Sequence, residues 1–362
     1  MRNKEVFYRD IEKRAQTIYE GYQNIMENIS RDDMSLSVTQ LKFFMKNDGR
    51  LGGKAWCKNN IDNIEINTGV INNFFDYFYG FAEELNHKLI NELHFKISKG
   101  QGEDVSYLLL LQDENKEAII LNNETINYNL ASLLTVFVSR FILTHELGHL
   151  LNGHCQYLNN NNDLSYIPMY YNNRRTNNIS PLDIKTMEMD ADFFAGTDSF
   201  RNLLILYNHF EEKVDPALLI KPIDLFFWWS FAIRSNFLIS QHILNDENYS
   251  PDRTHLPSVA RFALILTSIV ESIDGGIYKI NYRRGDSEEK LVKKLLDGAL
   301  YAEEYYNSKF HTEYAVAETM ENEKYLNTVS ELENNWDDLR NKLINFSRLP
   351  LFERKNRDFT LE

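Results

Sequence analysis

The chain has 362 residues, 43% of them hydrophobic and 25% charged, with a formal net charge of −14. That is enough apolar material for a sizeable core in one large domain or two, and an acidic chain without a basic run is a poor match for nucleic acid or an anionic membrane surface. Its two cysteines, Cys57 and Cys155, lie far apart, which is no disulfide framework and fits a reducing compartment.

The first 30 residues place Val6, Ile11, Ala15, Ile18, Tyr22 and Ile25 near one face of an amphipathic helix. The opening MRNKEVFYRDIEKRAQ alternates charges and lacks the apolar centre of a secretory signal. NDGRLGGKAW, 47–56, has the glycine density of a loop. IDNIEINTGVI, 61–71, alternates Ile with polar residues as a strand does, and 72–93 reads as a helix. The stretches 104–111 and 117–122 flank a turn-like QDENK and suggest a strand pair.

Residues 129–152 form a long helix, apolar on most sides and so expected to be buried. An irregular polar excursion follows through 159–181, then a helix from 182 that reaches at least Phe194. Pro222 separates it from an aromatic helix at 223–240. Residues 258–273 form another buried helix, ended by DGG at 274–276. Residues 287–345 read as acidic amphipathic helix, a packing surface or a surface for a partner or a second copy. No internal repeat is evident.

A bilayer span needs about 20 mostly apolar residues. Residues 223–240 come nearest, but Asp224, Arg234 and Asn236 interrupt them, and the run 130–143 carries Arg140. Both are expected as core helices of a cytoplasmic protein, with a membrane-embedded arrangement of 223–240 as the alternative.

The motif that carries chemistry is FILTHELGHLLNGHC, 141–155. On a helix, residues four apart differ by about 40° in direction, so His145 and His149 project from one face. Two imidazoles at that spacing reach one Zn²⁺ at about 2.0–2.1 Å. Glu146, rotated about 100° from His145, can stand beside the metal without ligating it and act as general base toward a zinc-bound water. Gly148 leaves room for substrate or for a packed neighbour.

Several side chains compete to be the third ligand. The pattern His-Glu-x-x-His-x-x-Gly-x-x-His fails here, because Asn152 and Cys155 stand where Gly and His are required. A continuing helix would turn His154 about 180° from His145, although Asn152-Gly153 can end the helix and free it to ligate or to support a ligand. Cys155 reads as a small buried residue. The better candidate is EMDAD, 188–192. It sets Glu188 and Asp192 on one helical face, with Ala191 small enough for close approach. Glu188 is assigned to the metal, and Asp192 to a hydrogen bond with the far nitrogen of a ligating histidine. Asp190 points elsewhere and is expected exposed or capping. The competing view of EMDAD is a solvated acidic face.

THLPSVARF, 254–262, adds His255 and Arg261 before a buried helix, with Thr254 and Pro257 suited to its start. His255 can steady the oxyanion of a tetrahedral intermediate. Equally, His255 and Arg261 can serve helix-start packing and a salt bridge.

These three elements in this order resemble the gluzincin metallopeptidases: HELGH at 145–149, Glu188-x-x-Ala191-Asp192, and Thr254-His255-x-Pro257-x-x-x-Arg261 look like the heat-shock and CAAX-type zinc endopeptidases. The resemblance covers about a third of the chain. It implies zinc ligation by His145, His149 and Glu188, with Glu146 as base and Asp192 supporting a ligand. The lack of membrane spans departs from that family. HELGHLLNGH also resembles two soluble groups, the ImmA/IrrE regulatory peptidases and the Lit-type phage-exclusion peptidases, and chain length fits the latter best.

The expected fold is α+β and mostly helical, a zincin-like core with a small sheet and an active-site HExxH helix. Residues 1–275 would form the peptidase domain, with 286–362 an acidic helical region packed on or beside it. The expected activity is intracellular zinc-dependent cleavage of a protein substrate, with phage exclusion or stress regulation as its setting. Tyr170, Tyr171 and Arg261 are further candidates for the oxyanion, and a strand at 104–111 or 117–122 for extended substrate. The alternative is a peptidase-fold protein that keeps zinc for binding or sensing without turnover.

Overall fold

The computed structural model describes residues 40–59, 61–98, 123–161, 167–168, 179–214, 220–244, 256–315 and 322–351, with Lys13, Gln16, Thr17, Tyr19, Glu20, Gly21 and Asn24. The expected N-terminal helix falls almost wholly outside these residues, and the expected strands 104–111 and 117–122 fall entirely outside. The described chain is α+β, mostly helical with one small mixed sheet.

The sheet contains β1 (Gln40–Lys46), β2 (Gly53–Lys58), β3 (Ile61–Asn67) and the two-residue β4 (Ile167–Pro168), in the order β1-β3-β2-β4. β2 and β3 are an antiparallel hairpin, while β1 runs parallel to β3. Asn59 turns the hairpin at φ 53°, a left-handed conformation that Asn tolerates better than most residues. The register aligns Phe43, Ile64 and Ala55, then Met45, Ile66 and Gly53, so alternation sends an apolar row toward the helices.

Two boundaries differ from the sequence reading. The glycine-rich stretch is a turn only as far as Gly52, and β2 begins at Gly53, where pairing with β3 overrides weak local propensity. β3 ends at Asn67, and the next helix starts at Thr68 with no linker. The turn is tied to that helix start, since Gly69 N donates to Asp48 O at 2.8 Å and Thr68 Oγ1 to the same carbonyl at 3.2 Å.

The helices are α1 (Thr68–Ser98), α2 (Asn123–Leu151), α3 (His154–Asn160), α4 (Pro181–Asn208), α5 (Phe210–Lys213), α6 (Asp224–Leu244), α7 (Ser258–Asp274), α8 (Glu288–Phe310) and α9 (Glu323–Leu343). α2 is the central one and packs on α1, α4, α6 and β2. Among the described residues, its Ile126–Leu151 stretch is the one helix long and apolar enough to cross a membrane, and 78% of that window is buried inside the protein. Ser180 caps α4 by accepting from Asp183 N, and Pro181 follows at the first helical position.

Arg234, which breaks the apolar run of α6, is fully buried and lies on Glu303 of α8, with Nε–Oε1 at 2.8 Å. Removing either charge would strand the other away from water. α8 reaches α6 closely at Gly298, where a Cβ would stand 2.2 Å from the Phe227 carbonyl. Among its described residues the acidic region has two helices whose apolar sides join existing clusters: Leu295, Ala299 and Tyr306 of α8 enter the main core, and Trp336, Leu339 and Leu343 of α9 meet Ile184 and Met187 of α4.

The segment after α9 returns to α2. Arg348 N donates to Leu151 O at 2.7 Å, closing one of the orphan carbonyls at the helix end. Its guanidinium pairs with buried Asp62 of β3, and Nη1 donates to Tyr19 Oη at 2.8 Å.

Candidate metal centre

The site forms where α2 and α4 touch. A Cβ on Gly148 would lie 3.2 Å from Ala191 Cα and 3.3 Å from Phe194, so the glycine is used for a packed neighbour. One turn before Ala191, Glu188 faces the two histidines of α2.

His145 Nε2 and His149 Nε2 are 3.1 Å apart. Glu188 Oε2 is 3.4 Å from the first and Oε1 is 3.5 Å from the second. Bonds of about 2.0–2.1 Å in tetrahedral geometry imply ligand–ligand edges of about 3.3 Å. The imidazole–imidazole distance and the nearest carboxylate oxygen to each ring lie close to that value, the two rings facing different oxygens of Glu188, and two imidazoles with one carboxylate are a donor set zinc accepts. His145, His149 and Glu188 could therefore hold a metal ion, and their donor types fit zinc.

Each histidine's other nitrogen also faces a polar neighbour. His145 Nδ1 lies 2.9 Å from Asp192 Oδ1. Asp192 in turn accepts from Arg261 Nε at 2.6 Å and Nη2 at 2.8 Å. His149 Nδ1 lies 3.0 Å from His154 Nδ1, and His154 Nε2 lies 3.2 Å from Asp190 Oδ2. Asp190, expected exposed or capping, is 13% exposed and also accepts from Asn152 Nδ2.

The electrostatics follow from burial. His145, Glu146 and His149 are wholly buried and Glu188 is 2% exposed. Burial lowers the His145 pKa, but hydrogen bonds to Asp192 and Glu188 outweigh it and raise the value to about 9. Burial likewise pushes the Glu146 carboxyl up to about 8, against the opposing pull of His145. Asp192 resists the same desolvation because Arg261 and His145 surround it, and its pKa falls. Carboxylates 188 and 192 thus draw positive charge into a water-poor interior.

Glu146 leaves the ligand face of α2 and meets β2. Its Oε1 would be 2.9 Å from a Cβ built on Gly53, so any larger residue there would make the carboxylate shift. Both Glu146 oxygens are buried with no hydrogen-bond partner among the described residues. A buried carboxylate kept out of the hydrogen-bond network costs folding energy, as groups reserved for proton transfer do.

Five of the six residues singled out from sequence come together here: His145, Glu146, His149, Glu188 and Asp192. The sixth, His255, lies outside the described residues, as do Thr254, Tyr170 and Tyr171. Arg261 is engaged with Asp192, which gives it the salt-bridge role. Cys155 is fully buried, with Sγ 3.5 Å from Ala55 O, and both cysteines are free thiols. The sequence reading did not specify the contact between His154 and His149 or the involvement of Asp190. The signal was Asn152-Gly153: Gly153 adopts φ 84°, and α3 restarts at His154 in a new direction. No family model, characterised protein or solved structure matches this chain.

Proposed function

We propose that this protein is an intracellular zinc-dependent endopeptidase with a zincin-like core, of the gluzincin type and nearest in character to the Lit-type or ImmA/IrrE-like peptidases. The observation that carries the reading is one buried cluster: two imidazoles and a carboxylate close enough to share one metal ion, with an unengaged carboxylate on the adjacent helical position. His145, His149 and Glu188 would hold the ion. When bound, zinc supplies Lewis acidity, lowering the pKa of water toward about 7 and polarising a carbonyl.

The chain's own residues supply the rest. Glu146 takes the proton of the attacking water and passes it to the leaving amine. Asp192 fixes the tautomer of His145 so that Nε2 is the free donor, and Arg261 holds Asp192 in place. A protein substrate, with phage exclusion or stress regulation as the setting, completes the proposal.

A second reading, a zinc-holding protein that binds or senses without turnover, is favoured by the enclosure of the cluster. His145, Glu146 and His149 are wholly buried, and the small cavity of about 10 Å³ beside Glu188, Asp192 and Arg261 is lined by neither histidine. Glu146 weighs against this reading, since a purely structural site needs no base and usually closes its fourth position.

Purified wild type and Glu146→Gln, analysed for metal and each expressed in cells with a proteome-wide search for new termini, separate the two. About one zinc per chain is expected in both, with new termini only in wild type. Zinc in both and termini in neither would establish the second reading, and equal cleavage by both would remove Glu146 as base.

A further inference from the structure

We propose that His154 is a positioning residue for the metal centre, the middle member of a His149–His154–Asp190 relay. The inference rests on the metal-centre reading above and concerns a residue that reading does not use. His149 Nε2 faces His145 and Glu188, so its hydrogen must sit on Nδ1 for Nε2 to donate to a cation. That Nδ1–H meets His154 Nδ1 at 3.0 Å, which acts as the acceptor. A neutral imidazole that accepts at Nδ1 carries its hydrogen on Nε2, and His154 Nε2 lies 3.2 Å from Asp190 Oδ2.

One arrangement of hydrogens therefore matches donor to acceptor from the ligand face outward, with His154 Nε2 turned to Asp190 across a 3.2 Å contact that is not yet an aligned hydrogen bond. The opposite tautomer of His154 would set two N–H groups against each other at 3.0 Å. Both rings are fully buried, so no solvent can substitute for a missing partner. The two ligand histidines are thus oriented by different means. His145 leans directly on a carboxylate that Arg261 holds, while His149 reaches one through a second imidazole.

Backbone geometry serves the relay. α2 ends at Leu151, and Gly153 at φ 84° turns the chain between the two helices, with His154 against His149. A Cβ at Gly153 would stand 2.5 Å from the backbone of Phe346 and Ser347, so the turn has no slack. Asn152 donates to the same Asp190 oxygen that His154 approaches, fixing the outer end.

The test compares zinc affinity, by chelator competition, and the visible spectrum of the cobalt-substituted protein in wild type, His154→Phe, His154→Asn and Asp190→Ala. Loss of an outer hydrogen-bond partner weakens metal binding about 10- to 100-fold. That range is expected for His154→Phe, with an altered cobalt spectrum. His154→Asn, whose Oδ1 can accept from His149, should recover most of the affinity. Asp190→Ala, at a partly exposed side chain, should lose about 10-fold and serves if His154→Phe does not fold. Wild-type affinity in both His154→Phe and Asp190→Ala, or equal loss in His154→Phe and His154→Asn, would overturn the relay. A wild type that takes up no zinc would instead overturn the metal centre itself.

Discussion

Gly148 of α2 and Ala191 of α4 set how near Glu188 comes to the two histidines, because a single methyl on Gly148 would already lie 3.2 Å from Ala191 Cα. The ligands therefore come from two helices whose spacing is fixed by the absence of side chains. Gly148→Val places a branched side chain in that contact. Overpacking of this kind costs about 1–3 kcal/mol and should separate Glu188 from the imidazoles. The expected result is a lower melting temperature together with weaker zinc binding. A variant with undiminished affinity would mean that helix spacing does not control the ligand set.

Gly53→Ala acts on the proposed base and spares the proposed ligands. The new Cβ meets Glu146 Oε1 and Ile66 Cδ1, each at 2.9 Å. Displacing a catalytic group by about 1 Å lowers turnover by about 10²-fold. Zinc content should remain at the wild-type level, because Glu146 is not among the ligands. Metal loss in step with activity would contradict this separation of roles.

Asp192 carries two duties, and its removal should show both. Asp192→Ala takes the partner from His145 and leaves Arg261, 6% exposed, without its main counter-charge. A buried charge stripped of its partner destabilises by about 3–5 kcal/mol, and zinc affinity should fall about 10- to 100-fold. Asp192→Ala/Arg261→Met should regain much of the stability and none of the affinity, which thermal unfolding and chelator competition read separately. Recovery of both would make Asp192 a structural residue only.

Chelation should destabilise the fold, since a metal that binds only the native state stabilises it by RT ln(1 + [L]/Kd), about 4 kcal/mol at 1,000 times Kd. Calorimetric scans with a chelator, then with zinc restored, should show a melting temperature that falls and returns. An unchanged transition would argue that no ion binds the native state.

The parts legible from sequence are those where local pattern and tertiary role coincide. HELGH and EMDAD sit on helices, and helical spacing alone placed His145, His149, Glu188 and Asp192 on usable faces. The long helices were visible because burial makes them apolar. Arg234 was a puzzle within such a run, and its answer, Glu303, lies 69 residues away. β1 escaped notice, since Gln40–Lys46 alternates imperfectly and its parallel partner β3 is not its neighbour in sequence. The start of β2 was hidden by glycines that serve close approach and not a loop. Asp190 was sent to the surface by counting angles along α4, which knows nothing of the histidine that α3 brings to meet it.

Arg348 closes the carbonyl end of α2 at Leu151, and the Phe346–Ser347 backbone presses on the Gly153 turn that aims His154. During synthesis, the helix with both imidazoles and the strand carrying Asp62 emerge from the ribosome long before this segment does. Until residues 346–348 arrive, their backbone cannot close the turn, and the proposed grip on metal would wait for them. A premature stop codon upstream of 346 would therefore injure the centre while leaving every ligand encoded.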